Sequence, residues 1–219
     1  MSSPASEGFS IPDEHLSVDT GPECEIKVKA SRFIGQVVRT TNEDEVGLAL
    51  ASVKKRFHDA RHHCFAWRLG KPEEFRELSQ DDGEPGGTAG LPILGALRRE
   101  GFYDALCVVT RYFGGTKLGT GGLVRAYGDA ARLAAEAAPK RTVFRESTFN
   151  LSCHYDEVGA VEAVLARCAN DVRHIDREFS AGPTFQIRSI RSRASALRAA
   201  LIEATAGRAL CSPPVEETS

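Results

Sequence analysis

At 219 residues the chain is long enough for two small domains, and 42% hydrophobic with 26% charged residues is ordinary globular composition. A formal net charge of -2 excludes a global electrostatic pull toward nucleic acid or anionic membrane, so any such attraction must come from local patches. No apolar run approaches the roughly 20 residues that cross a bilayer, and the N-terminus lacks the basic and apolar regions of a signal peptide. Six cysteines, none in a C-x-x-C pair, imply no disulfide framework; a reducing, cytoplasmic setting without a membrane partner is the expectation.

The first twenty residues are polar, punctuated by Pro and Gly, and read as a mobile tail. ECEIKVKA then alternates Cys24, Ile26 and Val28 against Glu25, Lys27 and Lys29, the pattern of a half-buried strand, and FIGQVVR continues as a second. Asn42 caps a predicted helix with Glu43, Asp44 and Glu45 in its first turn and Lys54, Lys55 and Arg56 near its end, which complements the helix dipole. HHCFAWRLG is a strand with two distinct faces. Phe65, Trp67 and Leu69 are expected to face the core, and the His62 face is either an open side or a packed second layer. Residues 71 to 87 read as a long polar loop ending in DDGEPGG. A short helix over about 88–99, the buried strand DALCVVT and a small-residue helix over about 121–138 follow.

From Thr142 the pattern restarts as βαββαβ, the ferredoxin-like split βαβ unit. The expected organisation is therefore α+β: a tail over 1–20, one domain over 21–141 and a ferredoxin-like domain over 142–213.

Three segments carry the candidate chemistry. TRYFGGTKLGTGG places Gly114, Gly115, Gly119, Gly121 and Gly122 between a strand and a helix, where backbone N–H groups can approach an anion. Arg111, Lys117 and Arg125 would supply charge and Tyr112 a stacking surface. The loop has no G-x-x-x-x-G-K-[ST], and Val124 stands where the third glycine of G-x-G-x-x-G belongs, so neither standard nucleotide motif is present. The alternative is tight backbone packing. In the second segment Asp81, Asp82 and Glu84 lie close enough to hold a divalent cation or supply a base. Their plainer role is a turn whose carboxylates pair with Arg61, Arg111 or Arg125. The third segment offers His58, His62, His63 and Cys64, but the chain turns there from helix to strand, and two ligands on one strand face do not make a zinc site. Downstream, Arg188, Arg191, Arg193 and Arg198 form either a solvated face or a patch for a phosphate backbone.

KASRFIG, ARHHCFAWRLG, DDGEPGGTAGLPIL and VVTRYFGGTKLGTGGLVRAYGDA together resemble the signature of the Impact/YigZ family over residues 27 to about 138. The resemblance implies an N-terminal domain like the second domain of a small-subunit ribosomal protein and domain IV of elongation factor G, and a C-terminal domain like domain V of that factor. The resemblance also implies that eukaryotic relatives act as translation regulators, binding a ribosome-associated activator of the starvation-sensing initiation-factor kinase, and carry an extra N-terminal module for protein contacts. A bacterial-type relative without that module is the better match, so the kinase-pathway role is not carried over. The function expected is a non-enzymatic, translation-associated factor with no cofactor and no bound metal. It would bind RNA or a ribosome-associated protein through Arg61, His62, His63, Arg111, Tyr112, Gly114, Gly115, Lys117, Gly121, Gly122 and Arg125. The competing class is a hydrolase acting on a phosphorylated or nucleotide-derived ligand, with Asp81, Asp82, Glu84 and His62 as its catalytic groups.

Overall fold

The structure, a computed structural model, describes residues 13–216. The chain divides into two compact units, one spanning His15–Val143 and the other taking in Phe144 onward together with Asp13 and Glu14.

The first element among the described residues is strand β1 (Glu14–Val18), which pairs with β7 (Lys140–Phe144) as a two-stranded sheet. Residues 14–18, expected within the tail, form this strand instead: Val18 is fully buried and Leu16 packs on the core, so a brief apolar alternation sufficed to order them. The part of that tail before residue 13 lies outside the described residues.

β2 (Cys24–Val28), β3 (Ser31–Arg39), β4 (His62–Lys71), β5 (Glu74–Gln80) and β6 (Ala105–Tyr112) form an antiparallel sheet in the order β2-β3-β6-β4-β5. Helix α1 (Glu43–Arg56) covers one face. It starts where the Asn42 side chain accepts a hydrogen bond from the Glu45 N–H at 2.9 Å, which satisfies an otherwise orphaned donor. Helices α2 (Gly90–Glu100) and α3 (Gly119–Ala137) cover the other face.

Alternation along β4 and β6 feeds both layers. Cys64, Ala66, Cys107 and Val109 join the larger core under α2 and α3, whereas Trp67, Leu69, Leu106 and Val108 join Val46 and Val53 of α1 in a smaller one. The Phe65-Trp67-Leu69 face of β4 thus meets the lesser core, and the His62-Cys64 face is the packed second layer.

Strand β5 replaces much of the expected loop over 71–87. Phe75 and Leu78 fall on opposite faces of this edge strand and both stay exposed, so no period-two apolar signal marks it.

In the second unit β8 (Glu146–Ser152), α4 (Val158–Arg167), β9 (Val172–Glu178), β10 (Thr184–Ile190), α5 (Arg191–Ala204) and β11 (Leu210–Cys211) follow one another, with a single 3-10 turn at Tyr155–Glu157 before α4. The sheet order is β11-β8-β10-β9, and a short added strand, β12 (Val215–Glu216), also pairs with β8. Phe149, Leu151, Phe185 and Ile187 meet Val161, Val164, Leu197 and Leu201 in its core. The molecule is mixed α+β, and among the described residues no helix is long and apolar enough to cross a membrane.

Candidate functional site

The three unusual segments meet at one end of the five-stranded sheet. Register sets this meeting: His62 at the start of β4 lies opposite Arg111 near the end of β6, and Tyr112 lies opposite Arg32 at the start of β3.

On the α2–α3 face the acidic turn is held by hydrogen bonds that it accepts itself. Asp81 Oδ1 accepts from the Ala89 and Gly90 N–H groups at 2.9 and 2.8 Å, and its Oδ2 from Gly87 N–H at 2.8 Å. It therefore caps α2 from a distance in sequence, where Ala89 offers no side-chain cap. Burial alone would push the Asp81 carboxyl up, but the three N–H donors outweigh it and hold the group below the usual aspartate value. A Cβ at Gly90 would come 2.7 Å from the Gln80 nitrogen, so only glycine fits there.

Asp82 adopts φ 43° and its Oδ2 accepts the His63 N–H at 2.7 Å, while His62 Nδ1 lies 2.9 Å from the Asp82 carbonyl. The Cys64 thiol donates to the Asp81 carbonyl at 3.0 Å, and burial pushes it up to about 12, so it stays a thiol rather than a nucleophilic thiolate.

Glu84 sits deepest. Its Oε1 accepts from Arg111 at 2.6 Å and from the Tyr127 hydroxyl at 2.7 Å, and burial pushes the Tyr127 phenol well up. The Arg111 guanidinium, only 6% exposed, lies 5.4 Å from the Phe33 ring centre and 5.5 Å from that of Phe113. Of the pairings open to these carboxylates, Glu84–Arg111 is the one formed. Asp81 and Asp82 take backbone donors instead.

The opposite face of the same sheet end is more open. His63 is buried with Nδ1 3.1 Å from the Thr110 hydroxyl, and burial pushes its imidazole down. The Tyr112 hydroxyl donates to Asp59 at 2.6 Å, which pushes the phenol up, and Arg32 stands 5.3 Å over its ring. Lys29, Arg61 and Lys117 are exposed at this end of the sheet, and Phe113, whose ring lies against Arg111, is 52% exposed. Neither Arg61 nor Lys117 has a carboxylate within ion-pair distance among the described residues.

The family model for the Impact N-terminal domain matches residues 29–135, which hold every residue of this cluster. IMPACT family member YigZ of Escherichia coli (strain K12) is 38% identical over 151 residues, covering 68% of this chain and 74% of that protein. This chain belongs to the IMPACT family. Member YvyE of Bacillus subtilis (strain 168) is 43% identical over 114 residues, 52% of each protein. A crystal structure described only as that of a hypothetical protein superposes with TM-score 0.64 at 30% identity, covering 92% of this chain and 97% of the other.

Within this IMPACT domain the expected binding residues separate into three places. His62, His63 and Arg111 are committed to contacts inside the fold. Arg61, Tyr112, Gly115 and Lys117 lie at the exposed sheet end, where Gly115 needs φ 84°. Arg125 lies elsewhere, on a groove between α2 and α3.

Gly114 has a packing role, because a Cβ there would overlap the Ala30 backbone. Gly121 and Gly122 belong to α3 rather than to the loop, since the helix already starts at Gly119. Its first turn carries neither an acidic residue nor a side-chain cap.

In the second unit Arg188, Arg191 and Arg193 pair with Glu146, Glu216 and Asp171, and Arg198 donates to the Cys211 carbonyl. That segment is a paired face. Tyr127, Thr110, Asp59 and Arg32 were not foreseen in the cluster. Tyr127 left one trace, as the bulky member of an otherwise small-residue helix face.

Proposed function

We propose that this IMPACT-family chain is a translation-associated regulatory factor that binds RNA through the exposed end of its five-stranded sheet. The observation that carries the reading is that Arg61 and Lys117 are exposed and without a carboxylate partner among the described residues, at the sheet end that also carries Tyr112 and the half-exposed Phe113. Cations without carboxylate partners suit phosphates, and exposed rings suit unstacked bases. The uncapped first turn of α3 next to Lys117 adds N–H donors of the kind that hold phosphate oxygens.

The six free cysteines suit a reducing cytoplasm. The βαββαβ order of the second unit supports its ferredoxin-like assignment, and with it a division of the chain into domains near residues 21–141 and 142–213. The likeness to elongation factor G domains IV and V belongs to the same proposal.

The hydrolase alternative finds no support. Asp81, Asp82 and Glu84 each accept hydrogen bonds within the fold, and no cluster of three metal-binding side chains occurs among the described residues.

The test is binding of single-stranded and duplex RNA oligonucleotides across a salt series, with Arg61→Ala/Lys117→Ala alongside wild type. If both residues contact phosphates, the variant's log–log salt slope is shallower by about 1.4 for a single strand. Absence of RNA binding at low salt would sink this reading and move the search to a ribosome-associated protein partner.

A further inference from the structure

Helices α2 and α3 pack on each other through small residues, and their small size leaves space. A Cβ added at Gly128 of α3 would lie 3.7 Å from the Pro92 Cβ of α2, and one at Gly95 would meet nothing within 4 Å. The result is a groove of about 320 Å³, within the range of small-ligand sites. Pro92, Ala96, Val124 and Gly128 supply its apolar lining, and Val124 remains 41% exposed there.

Charge on the rim is unevenly satisfied. Arg132 is held by Glu136 at 2.9 Å and by Asp129 at 3.9 Å. Arg99 and Arg125, on the same rim, have no carboxylate within ion-pair distance among the described residues. Two unpaired guanidinium groups beside an apolar floor fit an anion that brings its own apolar group.

We propose that the α2–α3 groove binds an acidic peptide segment of a protein partner, with one bulky apolar side chain on Pro92, Ala96 and Val124 and flanking carboxylates on Arg99 and Arg125. Guanidinium and carboxylate match in plane and donor spacing, which gives such a pair direction as well as attraction. A nucleic-acid occupant fits less well. No aromatic ring lines the groove for base stacking, and its apolar floor gives a phosphodiester backbone nothing to bury. This surface is separate from the RNA-binding reading above, and either can fail alone.

The test uses the full-length protein and a fluorescein-labelled peptide of alternating glutamate and leucine, followed by fluorescence polarisation. A glutamate-only peptide of equal length and a single-stranded RNA oligonucleotide serve as comparisons. The glutamate–leucine peptide is expected to bind best, and Arg99→Ala/Arg125→Ala to weaken it about tenfold. Gly95→Gln keeps both arginines, improves helix propensity and fills the groove, so it should weaken the peptide comparably while the fold survives. Three outcomes would overturn the proposal: no peptide binding at low salt, unchanged binding to Gly95→Gln, or equal binding of the glutamate-only peptide. RNA binding lost in the same variants would overturn it too, by assigning the groove to nucleic acid.

Discussion

The acidic turn and the exposed sheet end lie side by side and are built from the same motif-rich segments, yet they treat charge in opposite ways. In the turn, Asp81, Asp82 and Glu84 take their donors from within the fold, and the one arginine involved is nearly inaccessible. At the sheet end, Arg61 and Lys117 have no carboxylate partner among the described residues and Phe113 is half exposed. A dense run of glycines, acids and bases therefore marks two different needs. One is to fold a strained connection between β5 and α2; the other is to leave a surface unsatisfied for something else to satisfy.

Glu84 offers the sharpest way to break that contrast. Replacing it with Leu strands the Arg111 guanidinium and the Tyr127 hydroxyl, and should cost about 3–5 kcal/mol, measured by urea unfolding. Adding Arg111→Met should recover much of the loss, because a buried pair can be exchanged for apolar packing at little net cost. If Glu84→Leu alone unfolds no more readily than wild type, the pair is not a structural anchor.

Asp81 should come next, at about 1–2 kcal/mol for Asp81→Ala from the lost cap. Its carboxyl lies below the unfolded-chain value, so its contribution is complete above about pH 4 and disappears as pH falls through that value and then through the folded one. Asp81→Asn should accordingly flatten the acid limb of the urea midpoint measured from pH 5 downward.

The smallest effect belongs to the sheet end. Arg61→Ala/Lys117→Ala should leave stability within about 0.5 kcal/mol of wild type while altering RNA binding, since neither side chain has a partner to lose. A stability loss as large as that of Glu84→Leu would erase the distinction between the two regions.

Much of this architecture was legible beforehand. Local signals suffice where the deciding interaction is near in sequence: Asn42 with its three acids marked the start of α1, and the alternation of Cys24, Ile26 and Val28 marked β2. The second unit was readable for the same reason, because β8, β10 and its two helices carry clear apolar periodicity. β5 was not, because an edge strand with Phe75 and Leu78 on opposite faces shows no periodicity, and its pairing partner is what orders it.

For the site, residue types were visible and their roles were not. That Arg111 would turn inward to Glu84 depends on which face of β6 meets α2 and α3 and which meets α1, and strand alternation does not say which is which. The sequence by itself determined the helices, most of the strands, their order and the family, but not β1 or β5. Only tertiary structure decided which charges are satisfied internally, because pairing at a distance of 27 residues between Glu84 and Arg111 is set by sheet register and helix packing rather than by any local preference.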